Sequence, residues 1–187
     1  YGDEEIIFNY MSKEYMNESI GNNNFQKLMN MLCVLQGRIV QEHSELPLTG
    51  NFVQNRGSMI NWCPIGRNAL PPDREVFKAL DKIEGIRNKY LSILKKYILS
   101  EEIDVTVKLG GNTSFDIFPT GWDKTFALNH FDNNNWIFWF VGDRCSPTGN
   151  DYEIFSALKD TGRAFEVGSP EETVDIIDFH ILRDLGA

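Results

Sequence analysis

Six consecutive apolar residues, Trp136-Ile137-Phe138-Trp139-Phe140-Val141, stand between Asn133-Asn134-Asn135 and Gly142-Asp143. A run of that length without polar alternation predicts a strand buried on both faces, the pattern of a parallel-type sheet covered by helices. Open sheets of that kind bind ligands beyond the carboxyl ends of their strands. The loop that follows, Gly142 to Asp151, is therefore where chemistry is expected. Asp143 falls at the strand tip. Gly149 permits a tight turn, and Asn150-Asp151 lead into a helix that starts at Tyr152. Two carboxylates and a carboxamide around one loop suit Mg²⁺, a hard ion that takes oxygen ligands. The plainer alternative is a turn aspartate and an ordinary helix cap, and both stay open at this point.

The remainder of the chain reads in two styles. A short strand is expected at 5–8. Asn22-Asn23-Asn24 are placed to cap a helix over 25–38, whose apolar positions Phe25, Leu28, Met29, Leu32 and Leu35 keep one face. Residues 51–56 and 59–62 predict two strands around Gly57, a hairpin. Pro71-Pro72-Asp73 starts a helix. From Ile83, the positions Ile86, Tyr90, Leu94, Tyr97 and Ile98 give a second amphipathic helix. Val105, Val107 and Leu109 alternate, predicting a strand with one face in the core. Gly110-Gly111-Asn112 turns the chain into a strand over 114–118. Up to Pro119-Thr120-Gly121 the pattern is α+β with an antiparallel sheet. Beyond it, a helix over 122–131, the apolar strand, a helix, a short strand over 163–167 and a last helix over 170–185 follow the α/β pattern.

Net charge is −9 and the sequence pI about 4.8, which argues against a nucleic-acid partner. Three scattered cysteines, Cys33, Cys63 and Cys145, form no CxxC, so neither a disulfide framework nor a zinc site is indicated. No apolar run reaches the roughly 18 residues of a membrane span, and no signal peptide is read at the start. A cytoplasmic setting is expected. No GxxxxGK[ST], HExxH or GxSxG occurs.

Arg56, Arg67 and Arg74 cluster in or beside the hairpin. Guanidinium groups grip phosphate in a planar, bidentate way, so the three are candidates for a phosphate site; solvated surface charge is the alternative. Ser114 and Asp116 share one strand face, placed either to meet sugar hydroxyls or to form a plain polar face. Lys124 stands near a helix start, placed either to balance phosphate or carboxylate charge or as an ordinary solvated lysine. His43, His130 and His180 have no partner spacing and receive no role.

Segments spread along nearly the whole chain resemble eukaryotic phosphomannomutase, of the haloacid dehalogenase superfamily. They are Arg56-Gly57-Ser58-Met59-Ile60-Asn61, Pro64-Ile65-Gly66-Arg67, Gly110-Gly111, Ser114 to Pro119, Gly121-Trp122-Asp123-Lys124 and Gly142 to Phe155. The resemblance implies an α/β haloacid dehalogenase-like core, here incomplete and represented by its C-terminal half, with an α+β cap inserted. The domains it implies are a core remnant at 1–12, the cap at 13–120 and the C-terminal half of the core at 121–187. The implied reaction interconverts mannose 6-phosphate and mannose 1-phosphate for GDP-mannose synthesis, through a hexose bisphosphate activator and an aspartyl-phosphate, with Mg²⁺. The substrate-binding residues it implies are Arg56, Arg67, Arg74, Ser114 and Asp116. Lys124 is the implied catalytic residue, and Asp143, Asn150, Asp151 and Phe155 the implied metal ligands. A homodimer through the cap is implied as well. A related sugar phosphatase and a non-catalytic sugar-phosphate-binding chain are the alternatives.

The sequence departs from the family in several places. Trp62 and Cys63 replace small residues, Thr148 stands for a second Gly, and Ala157 stands where a second cation site would have an aspartate. The family's catalytic Asp-x-Asp-Gly-Thr is expected N-terminal to this chain. No Asp among the 187 residues begins an Asp-x-Asp pair. These residues alone are therefore expected not to turn over mannose phosphates, and the sheet around 136–141 is expected to expose an apolar face and a strand edge.

Overall fold

The computed structural model describes residues 14–131, 135–147 and 149–184. The strand expected at 5–8 and the core remnant expected at 1–12 lie outside the described residues. The chain divides into two compact units, with the boundary between Thr120 and Gly121.

In the first unit, α1 (Met16–Ile20) and α2 (Asn22–Glu42) precede a hairpin of β1 (Val53–Asn55) and β2 (Ile60–Trp62). Two helices follow, α3 (Pro71–Glu84) and α4 (Ile86–Ser100), and then β3 (Val105–Gly110) and β4 (Ser114–Pro119). The strands form one antiparallel sheet in the order β1-β2-β4-β3. Helix α2 is longer than the periodicity of 25–38 predicts. Asn22 to Asn24 make its first turn and Gly21, at φ 81°, stands before it, so the asparagines are not its cap. Pro71 opens α3 as expected, and the Asp73 carboxylate accepts from the Leu70 amide at 2.9 Å. Gly85, in the left-handed region at φ 64°, separates α3 from α4. Ile83 therefore belongs to the end of α3 and is exposed, whereas Ile86, Tyr90, Leu94 and Ile98 form the buried stripe of α4.

The strand register divides the sheet into an apolar and a polar face. Trp62 pairs with Phe115, and Ile60 with Ile117. Ile117 in turn pairs with Val107. These side chains are buried. Trp62 stacks on Phe115 with centroids 4.5 Å apart and meets the edge of Tyr90 at 6.2 Å. Its Nε1 donates to Gln36 Oε1 at 2.8 Å, and Gln36 Nε2 donates to the Pro64 carbonyl at 2.9 Å. Full burial of one such side chain contributes about 1.5–3 kcal/mol, so this aromatic cluster anchors the helices to the sheet. Leu109 departs from the expected alternation. It lies at the end of β3 opposite Phe115 and stays partly exposed. On the opposite face, Gln54, Asn61, Asp116 and Lys108 occupy successive paired positions across all four strands.

The second unit holds a parallel pair, β5 (Phe140–Gly142) with β6 (Ala164–Glu166). Between them run α5 (Tyr152–Leu158) and a 3₁₀ turn, Lys159–Thr161. The strand expected over 136–141 is corrected by this geometry. Only Phe140 onward pairs, Trp136 is 43% exposed and Ile137 63%. The pairing partner β6 is three residues long, so the earlier part of the apolar run has no ladder beside it among the described residues. Instead Trp136 and Phe138 meet Phe131 edge-on at 5.4 and 5.6 Å. The helix expected over 122–131 is a 3₁₀ helix, Lys124–His130, capped by Asp123, which accepts from Thr125 N at 2.8 Å and Thr125 Oγ1 at 2.6 Å. The last helix forms from Pro170, with Ser169 as its cap, and passes through a π turn at Ile177–Ile181 to Asp184; Leu185 lies outside the described residues.

Glu42, at the end of α2, accepts from Arg38, Lys89 and Tyr90. The bonds from Lys89, Arg38 and Tyr90, in that order, hold its carboxyl down at about 2. A carboxylate with a depressed folded-state pKa contributes stability above its unfolded pKa, and that contribution disappears as pH falls through the folded value. Glu42→Gln should therefore lower stability near neutral pH, with the difference from the parent vanishing between about pH 4.5 and 2. Urea unfolding at a series of pH values checks this; a difference independent of pH would show that charge is not the cause.

Candidate functional site

The polar face of the first-unit sheet is built around Asn61. It is 2% exposed, and its Nδ2 donates to Asp116 Oδ1 at 2.6 Å and to Ser114 Oγ at 3.1 Å. Ser114 Oγ donates onward to the Gly110 carbonyl at 2.7 Å. A side chain at Gly110 would meet the Asp116 carboxylate at 2.6 Å, so glycine there leaves the carboxylate its room. Asn61 Oδ1 is buried and without a hydrogen-bond partner. The network fixes Asp116, which remains partly exposed. Ser114 is buried within it, and its hydroxyl is engaged internally as donor and acceptor.

The three arginines differ in their freedom. Arg74 donates from Nε to the Ala69 carbonyl at 3.0 Å, from Nη1 to Thr113 Oγ1 at 3.2 Å and from Nη2 to the Arg67 carbonyl at 3.4 Å. A guanidinium has five N–H donors, so Arg74 is braced and still has donors to offer. Thr113 is buried and also receives Cys63 Sγ at 3.6 Å. Arg67 is held by its backbone N–H on the Asn51 carbonyl at 3.1 Å, and its guanidinium makes no hydrogen bond among the described residues. Arg56 is exposed at the β1 end, with Nε on Gln54 Oε1 at 3.2 Å. The bond from Arg74 Nη2 to the Arg67 carbonyl thus joins these two arginines, and Gln54 joins Arg56 to the polar row that holds Asn61 and Asp116.

In the second unit, the Gly142–Asp151 loop closes on itself. Asp151 N donates to the Arg144 carbonyl at 3.1 Å and Gly149 N to the Ser146 carbonyl at 2.7 Å. A side chain at Gly149 would collide with the Arg144 carbonyl, so the position requires glycine for space. Asp151 heads α5, yet its carboxylate makes no helix cap. One oxygen pairs with Lys124 Nζ and the other accepts from Arg144 N at 3.1 Å. Burial pushes the Asp151 carboxyl up, but Lys124 and the backbone N–H groups of Arg144 and Asp143 outweigh it, and the carboxyl sits below its ordinary value. Asp143 is exposed beyond β5 and lines a cavity of about 460 Å³ with Gly142, Gly168 and Ser169. Asn150 is exposed. The Phe155 carbonyl accepts the Lys159 N–H. Cys145, buried beside Gly142, has its thiol pushed up by burial and then by Glu166, Asp151 and Asp143.

These two regions lie in a chain whose relatives are known. Residues 7–183 match the family model described as eukaryotic phosphomannomutase. The chain belongs to that family. It is 38% identical over 168 residues to the phosphomannomutase of Saccharomyces cerevisiae, covering 89% of this chain and 65% of that protein. It is 41% identical over 151 residues to that of Galdieria sulphuraria, covering 80% and 57%. It is also 41% identical over 125 residues to that of Spinacia oleracea, covering 67% and 48%. The chain thus spans less than two thirds of the length of each. Membership places it in the haloacid dehalogenase-like superfamily, with helices, a small antiparallel sheet and a parallel pair. No helix among the described residues is long and apolar enough to cross a membrane.

Nothing in the local sequence around Asn61, Gln54 or Thr113 marks them as site residues. Asn61 becomes identifiable only from the register that sets it opposite Asp116.

Because Asp151 is buried and Lys124 is half-exposed, removing the lysine leaves a buried acceptor short of a donor, a loss of about 1–3 kcal/mol. Lys124→Met should destabilise the second unit by that amount, and Asp151→Asn combined with it should recover part of the loss. Denaturant unfolding measures both; equal stability of Lys124→Met and the parent would show that water replaces the lysine.

Proposed function

We propose that this chain carries the sugar-phosphate-binding cap and the C-terminal half of the core of a phosphomannomutase, the enzyme that interconverts mannose 6-phosphate and mannose 1-phosphate through a hexose bisphosphate. The observation that carries this reading is the first-unit arrangement of Arg67 and Arg74 with Asn61-braced Asp116, in a chain of this family. Arg67 has an uncommitted guanidinium and Arg74 has spare donors, as grip on a phosphate requires. Asp116 offers a fixed acceptor for sugar hydroxyls. Arg56 adds a cation at the edge of the same polar row. Ser114 takes part by holding Asp116 through Asn61.

The second unit supplies groups for phosphoryl chemistry. Asp143 has an open carboxylate beyond β5, a hard oxygen donor that fits Mg²⁺. Asn150 adds a carboxamide in the same loop. Mg²⁺, when bound, supplies positive charge for a phosphoryl group. Asp151 fits less well as a direct ligand, because both its oxygens are engaged; it orients Lys124, whose ammonium would hold the phosphoryl oxygens. The Phe155 carbonyl remains a proposed ligand with one acceptance already made. Covalent transfer needs a carboxylate nucleophile, and the Asp-x-Asp pair that provides it in the family does not occur in these 187 residues. The residues alone are therefore proposed to bind and not to turn over. Dimerisation through the cap and a cytoplasmic setting belong to the same reading.

Arg67→Ala should weaken mannose 6-phosphate binding by about 1.5–3 kcal/mol, the value of a charge-assisted hydrogen bond, with calorimetric titration as the measurement. An unchanged dissociation constant removes Arg67 from the site. Asp143→Asn should raise the Mg²⁺ dissociation constant measured by the same method, and identical Mg²⁺ binding in both proteins would make Asp143 a turn residue.

A further inference from the structure

Among residues given no role above, three metal-ligand side chains converge where α2 and α3 end. His43 is the residue just after α2, Glu45 lies in the turn that follows and Glu84 is the last residue of α3. His43 Nδ1 stands 2.8 Å from Glu84 Oε2 and 3.9 Å from Glu45 Oε1. The three ligand atoms lie within 4.8 Å of one another. His43 is only 8% exposed, and its Nε2 is buried without a partner. Nδ1 is thus the ring nitrogen that a metal can reach, and it faces both carboxylates.

Glu42 meets Arg38 and Lys89, Glu75 meets Lys78, Asp81 meets Arg87 and Glu101 meets Lys27. Glu45 and Glu84 have no lysine or arginine partner among the described residues, and their shared neighbour is one imidazole. Two helices also end here, and helix C-termini favour cations. In a chain of net charge −9, this leaves concentrated negative charge around a nitrogen donor.

We propose that His43 Nδ1, Glu45 and Glu84 bind one divalent transition metal of the Zn²⁺ class, at a site in the first unit separate from any Mg²⁺ bound near Asp143. One imidazole nitrogen and two carboxylates, with water in the fourth position, form a donor set that Zn²⁺ accepts in tetrahedral geometry. Mg²⁺ prefers oxygen ligands in octahedral geometry, so the nitrogen selects against it. Metal–ligand bonds of about 2.0–2.2 Å set ligand atoms roughly 3.3 Å apart in a tetrahedron. The separations of 2.8 and 3.9 Å fall on either side of that value. Closing them needs only rotation of two partly exposed glutamates. The bound ion would tie the turn after α2 to the end of α3.

The test strips the chain with a chelator, adds excess Mg²⁺ to fill oxygen sites, and titrates Zn²⁺ by calorimetry. One Zn²⁺ should bind in the micromolar range and raise the thermal midpoint. Glu45→Gln and Glu84→Gln preserve side-chain shape at exposed positions, and each should weaken Zn²⁺ by about tenfold or more, as loss of a metal-site group does. Co²⁺ substituted for Zn²⁺ should give the intense visible bands of a four-coordinate site in the parent and lose them in the double variant. Absence of Zn²⁺ binding up to about 1 mM, or equal affinity in parent and double variant, would overturn the proposal and leave His43–Glu84 as a simple hydrogen-bonded pair.

Discussion

The hydrogen bond from Asn61 to Asp116, 2.6 Å across the β2–β4 pair, fixes which way the first unit faces. Strand side chains alternate, so a slip of one residue would send the whole set to the opposite face. With Asn61 opposite Asp116, Trp62 and Phe115 must stack on the helix side. Gln54 and Lys108 then fall in line with the polar pair. Hydrophobic burial alone would also favour this register. The buried amide adds selectivity, because a slipped register would leave Asn61 without its partners, and an unsatisfied buried polar group costs about 1–3 kcal/mol. One pairing thus sets both the core and the candidate binding face. Arg74 is drawn into the same arrangement through Thr113, at the turn where β4 begins.

The second unit relies on close backbone approach. Its loop brings Asp151 back beside the strand tip because Gly149 lets the Arg144 carbonyl come near. Gly142 makes a similar allowance, since a side chain there would lie 2.8 Å from Asp151 Oδ2. The result is a buried carboxylate with its negative charge matched by one ammonium and two backbone N–H groups. Asp143, a few residues away in sequence, keeps its carboxylate open to solvent. Two acids in one loop therefore have different surroundings, one buried against a lysine and the other open to solvent. Environment makes that distinction, as it does wherever neighbouring carboxylates diverge in behaviour.

Local signals made much of this legible in advance. Pro71-Pro72-Asp73 starts α3, and the stripe of Ile86, Tyr90, Leu94 and Ile98 is buried as its spacing predicts. The hairpin around Gly57 and the strand from Ser114 also formed where turn and alternation signals put them. What failed to read depended on partners distant in sequence. The run 136–141 has the composition of a buried strand, but a strand exists only where another pairs with it, and β6 is short. Ile83 fitted a helical period and fell on the far side of a left-handed glycine. Asp151 reads from the sequence as a helix-start residue, either a cap or a metal ligand, and its carboxylate instead pairs with Lys124 from 27 residues earlier. Asn61 carried no recognisable signal until its cross-strand partner was known.

The central claim is that the polar face of the first-unit sheet receives a sugar phosphate. Amide chemical-shift mapping of the chain titrated with mannose 6-phosphate tests it residue by residue. The account predicts perturbations concentrated at Asn61, Arg67, Arg74, Thr113 and Asp116, with the Trp62–Phe115 side of the sheet undisturbed. Shifts confined to the helix-covered face, or none at saturating ligand, would contradict it.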